Sequence, residues 1–135
     1  MIDFWLDSRS GVAPYLQLVQ QVRHNMRLGT LTEGDQLPTV KEVVSKLAIN
    51  PNTVLKAYRE LEREGLVTAR PGVGTFVART FTGDSLAAHE RLRAGLRSWL
   101  DEALEAGLDS DSIEALFVTT FRTVIAPHST HEVKK

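Results

Sequence analysis

The sequence predicts a mainly α-helical fold with one small β-hairpin, on three observations. Apolar residues recur at helical spacing in three segments ahead of Gly65. The pattern then changes to two short alternating runs around Pro71-Gly72-Val73-Gly74. Helical spacing returns after Thr80 and holds almost to the end of the chain. Helix, helix, helix and hairpin in this order, with the second and third helices separated by a very short turn, is the winged helix-turn-helix arrangement. The remainder predicts a short C-terminal helical module for dimerisation.

Met1 to Ala13 reads as an extended arm, with Phe4, Trp5 and Leu6 as anchors. Pro14 suits the first helical position, and Tyr15, Leu18, Val19, Val22 and Met26 supply one apolar face before Gly29 stops the run. Thr30 to Pro38 reads as a connector. Thr39 followed by Glu42 forms a capping box that opens the second helix, whose buried face is Val40, Val43, Val44 and Leu47. Asn50 caps the third helix, with Pro51 next, the stripe Val54, Ala57, Tyr58 and Leu61, and Gly65 as the stop. Leu66–Arg70 and Thr75–Arg79 are the expected strands. Beyond them Leu92, Leu96, Trp99, Ala103 and Leu104 share a face, with Asp84 or Ser85 as cap and Gly107 as stop. Asp109 or Ser110 caps a last helix carrying Ile113, Leu116, Phe117, Phe121 and Val124, which Pro127 is expected to end. The expected domains are therefore 1–80, a winged helix; 81–127, a helical dimerisation module; and 128–135, a disordered tail.

Composition narrows the function classes. A chain of 135 residues with 42% apolar and 24% charged residues is globular, with little room for a separate ligand-binding domain. It has no cysteine, and its four histidines show no ligand-like spacing with carboxylates, so neither a disulfide framework nor a metal site is expected. No cofactor motif and no nucleophile–base set stands out, so no enzyme is expected. No signal peptide and no membrane span is visible, which implies a soluble cytoplasmic protein. Net charge is −1, but Leu37–Thr80 holds seven basic against four acidic residues and Phe81–Lys135 six against nine. Only the middle of the chain is suited to an anionic partner.

Double-stranded DNA is the partner this arrangement implies. The helix at 51–64 would enter the major groove by its N-terminal end, where Asn50, Asn52 and Thr53 reach base edges while Lys56 and Arg59 reach phosphates. Asn can pair with adenine through two bonds, and Thr can touch a thymine methyl. Asn50 serves equally well as a plain cap. The wing at 70–75 offers Arg70, Gly72, Gly74 and Thr75, with glycines that let backbone approach a phosphate or a minor groove. Lys41, beside the N-terminus of the second helix, is also within reach of a phosphate.

The string LPTVKEVVSKLAINPNTVLKAYRELEREGLVTARPGVGTFV resembles the DNA-binding domain of the GntR family of bacterial regulators. The preceding FWLDSRSGVAPYLQLVQQVRHNMRLGTLTEGDQ is similar to that family's lead-in, with Pro14-Tyr15 and Gly29. Together they cover Ile2 to Val77, and the short helical region beyond resembles the compact YtrA-type branch. The resemblance implies that Thr39, in Leu37-Pro38-Thr39, touches a phosphate. It implies the same for Lys41, which stands where relatives most often have Arg, keeping the charge without the bidentate fork. Pro51 and Leu55 stand where many relatives have Arg, so the operator of those relatives does not transfer.

The apolar C-terminal face implies a homodimer burying Leu92, Leu96, Trp99, Leu100, Phe117 and Phe121, and thereby two recognition helices about 34 Å apart along a palindromic operator. The dimer is expected to act as a repressor or an activator, of which the repressor is the preferred reading. Two other readings stay open: a winged helix that binds only protein, and a small-molecule effector of unknown identity held between the C-terminal helices.

Overall fold

The computed structural model describes residues 1–81 and 86–133. They form α1 (Pro14–Arg27), α2 (Val40–Leu47), α3 (Pro51–Arg63), β1 (Val67–Arg70), β2 (Gly74–Val77), α4 (Leu86–Glu105) and α5 (Ser110–Val133). The chain divides into two compact units, Met1–Leu86 and Ala87–Lys135.

The first unit is built around α3. Val54, Ala57, Tyr58 and Leu61 form its buried stripe, at the spacing that puts them on one face. That stripe meets Leu18, Val19, Val22 and Met26 of α1, Val43 of α2, and Leu66, Val67 and Val77 of the hairpin in a single core. The Tyr58 hydroxyl donates to the Pro38 carbonyl at 2.6 Å inside it, tying α3 to the residue before the α2 cap. Burial holds the Tyr58 phenol well above its usual range.

The extended arm is docked by two glutamines. Gln21 accepts from the Trp5 N–H at 3.1 Å and donates to the Trp5 carbonyl at 2.8 Å. Gln17 does the same for Asp7, at 2.8 and 3.0 Å. Spacing explains the match: four helical residues rise about 6 Å, close to the advance of two extended residues. Two side-chain amides thus replace a neighbouring strand, and Phe4 of the arm is buried in the core.

Caps define the helix-turn-helix. The Thr39–Glu42 capping box forms in both directions. Ala48 ends α2 in the left-handed region at φ 54°, a conformation costing a non-glycine residue roughly 1 kcal/mol. The turn then runs directly into Asn50, the α3 cap.

In the wing β1 and β2 pair antiparallel, with Arg70 opposite Gly74. The Val73 N–H donates to the Arg70 carbonyl at 2.9 Å. With Pro71 and then Gly72 at φ 75°, this is a type II turn. The segment expected as a plain connector proves to be part of the sheet. Leu37 N–H donates to Thr75 O at 2.8 Å, Val77 N–H to Asp35 O at 2.8 Å, and Gly34 N–H to Val77 O at 2.9 Å. Gln36 bridges Phe76 between them.

The second unit consists of α4 and α5 joined by a short turn. Asp109 caps α5 by accepting from the Ser112 N–H at 2.8 Å, and those bonds hold its carboxyl below the usual range. Ala103 and Ile113, on either side of the turn, are buried. The expected cap of α4 at Asp84 or Ser85 lies outside the described residues. The expected stop at Pro127 is corrected: α5 continues through it to Val133, so the helix takes in most of the 128–135 segment. A proline removes one N–H from the ladder but leaves the helical bonds on either side available.

Candidate nucleic-acid interface

At the start of α3 the Asn50 side chain is the cap, its Oδ1 accepting from the Asn52 N–H at 2.8 Å. Its amide NH2 is left as its donor. Asn52, Lys56 and Arg59 follow at spacings of four and three and are all exposed, while Thr53 is half-buried beside them. Leu55 is also exposed. The Lys56 ammonium lies over the Tyr15 ring, 4.1 Å from its centroid.

At α2, Thr39 Oγ1 accepts from the Glu42 N–H at 3.1 Å, and Glu42 accepts from the Thr39 N–H at 2.9 Å. The hydroxyl proton of Thr39 is not used by that bond, so the residue can still donate to a phosphate. These bonds also hold the Glu42 carboxyl below its usual range. Lys41 is exposed in the same turn.

At the wing the Arg70 guanidinium lies over the Phe76 ring, 4.4 Å from its centroid. Gly72 needs only its positive φ, since a Cβ there would meet nothing. Gly74 has φ 146°, and a Cβ would fall 2.5 Å from the Gln36 side-chain nitrogen. The Gln36 amide itself points at the Val73 carbonyl, at 3.4 Å. Thr75 is half-buried, and its carbonyl serves the sheet.

Charge is distributed unevenly over the unit. Arg23 pairs with Glu64, Lys46 with Asp3 and Arg63 with Glu60. Lys41, Lys56, Arg59 and Arg70 pair with no carboxylate among the described residues, and neither do Arg9, Arg27 and Arg79. The residues expected at the interface thus fall on three elements, the start of α2, the exposed face of α3 and the wing, and their cations remain uncompensated. Sequence reasoning missed Tyr15, Phe76 and Gln36. Tyr15 reads as core from its helical spacing, and the other two look like ordinary hairpin and connector residues.

In the second unit Trp99 and Phe117 have ring centroids 6.5 Å apart, and Phe117 stacks on Phe121 at 5.9 Å. Leu92, Leu96 and Leu100 stand one turn apart along α4 with much of their surface exposed, as have Phe117 and Phe121. Among the described residues no group of three or more His, Asp or Glu could hold a metal ion, and no helix is long and apolar enough to cross a membrane.

Residues 14–77 match the profile of the bacterial regulatory proteins of the gntR family. The HTH-type transcriptional regulator YhcF of Bacillus subtilis is 32% identical over 99 residues, which are 73% of this chain and 82% of that protein. The chain belongs to the GntR family. The HTH-type transcriptional repressor YtrA of Bacillus subtilis is 42% identical over 73 residues, 54% of this chain; the match spans just over half of that relative, 56% of its length. Among solved structures, YtrA from Sulfolobus acidocaldarius, a GntR-family transcription factor, superimposes with a TM-score of 0.52 at 28% identity. It covers 92% of this chain and 97% of its own. This GntR-family chain is thus of the YtrA type and carries a winged helix, and the relatives named here are described as transcriptional regulators.

Proposed function

We propose that this GntR-family regulator acts in the cytoplasm as a homodimeric repressor on a palindromic double-stranded DNA operator. In this reading Asn50, Asn52 and Thr53 face base edges. Thr39, Lys41, Lys56 and Arg59 hold phosphates, and Arg70, Gly72, Gly74 and Thr75 bring the wing against the backbone or the minor groove. The observation that carries it is the placement of four exposed cations with no carboxylate partner among the described residues, Lys41 at the start of α2, Lys56 and Arg59 on α3 and Arg70 on the wing, beside the exposed Asn52. Phosphate contacts supply affinity and register, while the asparagine and threonine side chains supply sequence preference.

The dimer is supported by the C-terminal unit. Its Leu92, Leu96, Leu100, Phe117 and Phe121 leave a large apolar surface exposed in the single chain. Twofold pairing through them and Trp99 covers it and doubles the DNA contact. This reading requires no small-molecule effector.

Selection of bound duplexes from a random pool tests the proposal. The expected product is an inverted repeat with half-site centres about one helical turn, or a multiple of it, apart. Enrichment of a single unrepeated half-site refutes the dimer. No enrichment, with binding that is also indifferent to Asn52→Ala with Lys56→Ala, refutes the interface and leaves a protein-interaction module.

A further inference from the structure

Seven cations of the first unit rest on a carboxylate or on an aromatic ring, two physically different ways of being held. Arg23, Lys46 and Arg63 each rest on a carboxylate. Lys56 and Arg70 rest on the faces of Tyr15 and Phe76, at 4.1 and 4.4 Å. Arg27 and Arg79 also share a ring, Phe81, but at 5.3 and 5.4 Å and past the end of β2. A carboxylate fixes a cation and cancels its charge. An aromatic face fixes it through the ring quadrupole and leaves the charge intact, with the side away from the ring open to a second partner.

The Lys56 case joins two elements. Tyr15 stands at the start of α1, half-buried and packed against the core, so its ring is a fixed platform. Lys56 comes from the second turn of α3 and has four side-chain torsions to order before it can grip anything. Lying over the ring, the ammonium is already placed, and three N–H donors remain charged. Ordering done in the free protein does not have to be done on binding.

We propose that Tyr15 is a positioning residue for DNA binding, its ring holding the Lys56 ammonium ordered and unneutralised for a phosphate. The proposal rests on the reading that α3 lies on DNA, and it gives Tyr15 a role through Lys56 rather than through the duplex.

The test uses the full chain and a random-sequence duplex of about 30 base pairs, with affinity followed by anisotropy over a range of salt. Lys56→Met should weaken binding and lower the salt slope by about 0.9 per bound winged helix. Tyr15→Leu, which keeps the lysine, should weaken binding about two- to fivefold. Tyr15→Phe should restore it, and Tyr15→Leu should cost nothing further in the Lys56→Met background. Multiplying losses in the double variant, or a Tyr15→Phe protein as weak as Tyr15→Leu, overturns the positioning role. An unchanged affinity in Lys56→Met overturns the placement of α3 on DNA, and the proposal with it. Proton NMR of the unmodified chain gives an independent readout should Tyr15→Leu fail to fold. Upfield ring-current shifts of the Lys56 ε-methylene protons are expected there and in Tyr15→Phe, and their absence refutes the contact.

Discussion

Replacing Leu92 and Leu96 together by Asp separates dimer formation from folding, because both side chains face outward in the single chain. Leu92 is 63% exposed and Leu96 43%. Fully burying a leucine is worth about 1.5–3 kcal/mol, so completing the burial of each contributes about 1 kcal/mol. A twofold interface counts every residue twice, and the two leucines then account for about 4 kcal/mol of association. That corresponds to roughly a thousandfold in dissociation constant before any cost of bringing four carboxylates together. The monomer loses far less, since the sites touch solvent already and aspartate in a helix costs about half a kcal/mol each. Trp99 is left in place because it packs on Phe117 within the protomer. Sedimentation equilibrium at about 10 µM should return a dimer mass for the parent and a monomer mass for the variant, with unchanged helical circular dichroism. A folded variant that still sediments as a dimer refutes this seam, and a parent of monomer mass refutes the dimer.

Two further predictions concern the scaffold. Tyr58→Phe removes the buried bond to Pro38 O, leaves that carbonyl without its donor, and should cost about 1–2 kcal/mol in urea unfolding. The Tyr58 pKa is raised in the folded state, so the stability it contributes is complete below 10.0, the ordinary tyrosine value, and falls as pH rises above it. Unfolding midpoints between about pH 9 and 11 should therefore decline more steeply in the parent than in Tyr58→Phe; parallel profiles refute the assignment. Ala48→Gly relieves the left-handed residue at φ 54° and should raise stability by up to about 1 kcal/mol, an effect a denaturant midpoint resolves.

What the sequence revealed depended on how local each feature was. The Thr39–Glu42 capping box, the Asn50 cap with Pro51 behind it, and the α3 stripe of Val54, Ala57, Tyr58 and Leu61 are relations within a few residues. All three stand as expected. The pairing of Gly34–Leu37 with β2 joins segments about 40 residues apart, and nothing in the composition of the connector distinguishes a sheet edge from a loop. The seats of Lys56 on Tyr15 and of Arg70 on Phe76 were invisible for a related reason. A helical period reports which face of an element is apolar, not which cation crosses to it from elsewhere. Pro127 misled in the opposite direction, because a strong local signal was overridden by helix on both sides. Of the candidate interface, the elements that carry the expected residues were legible, whereas the aromatic seats emerged only from the packed structure.

The edge formed by Gly34–Leu37 on β2 has a consequence for how an operator is chosen. It fastens the wing to the stretch of chain that leads straight into the Thr39 cap, so the hairpin cannot swing independently of the helix-turn-helix. A reader built as one stiff piece leaves bending and groove-width adjustment to the duplex. Under the proposed function, steps that yield easily are expected to be favoured even where no side chain touches them, which would place part of the site's identity in the mechanics of the DNA rather than in its base edges.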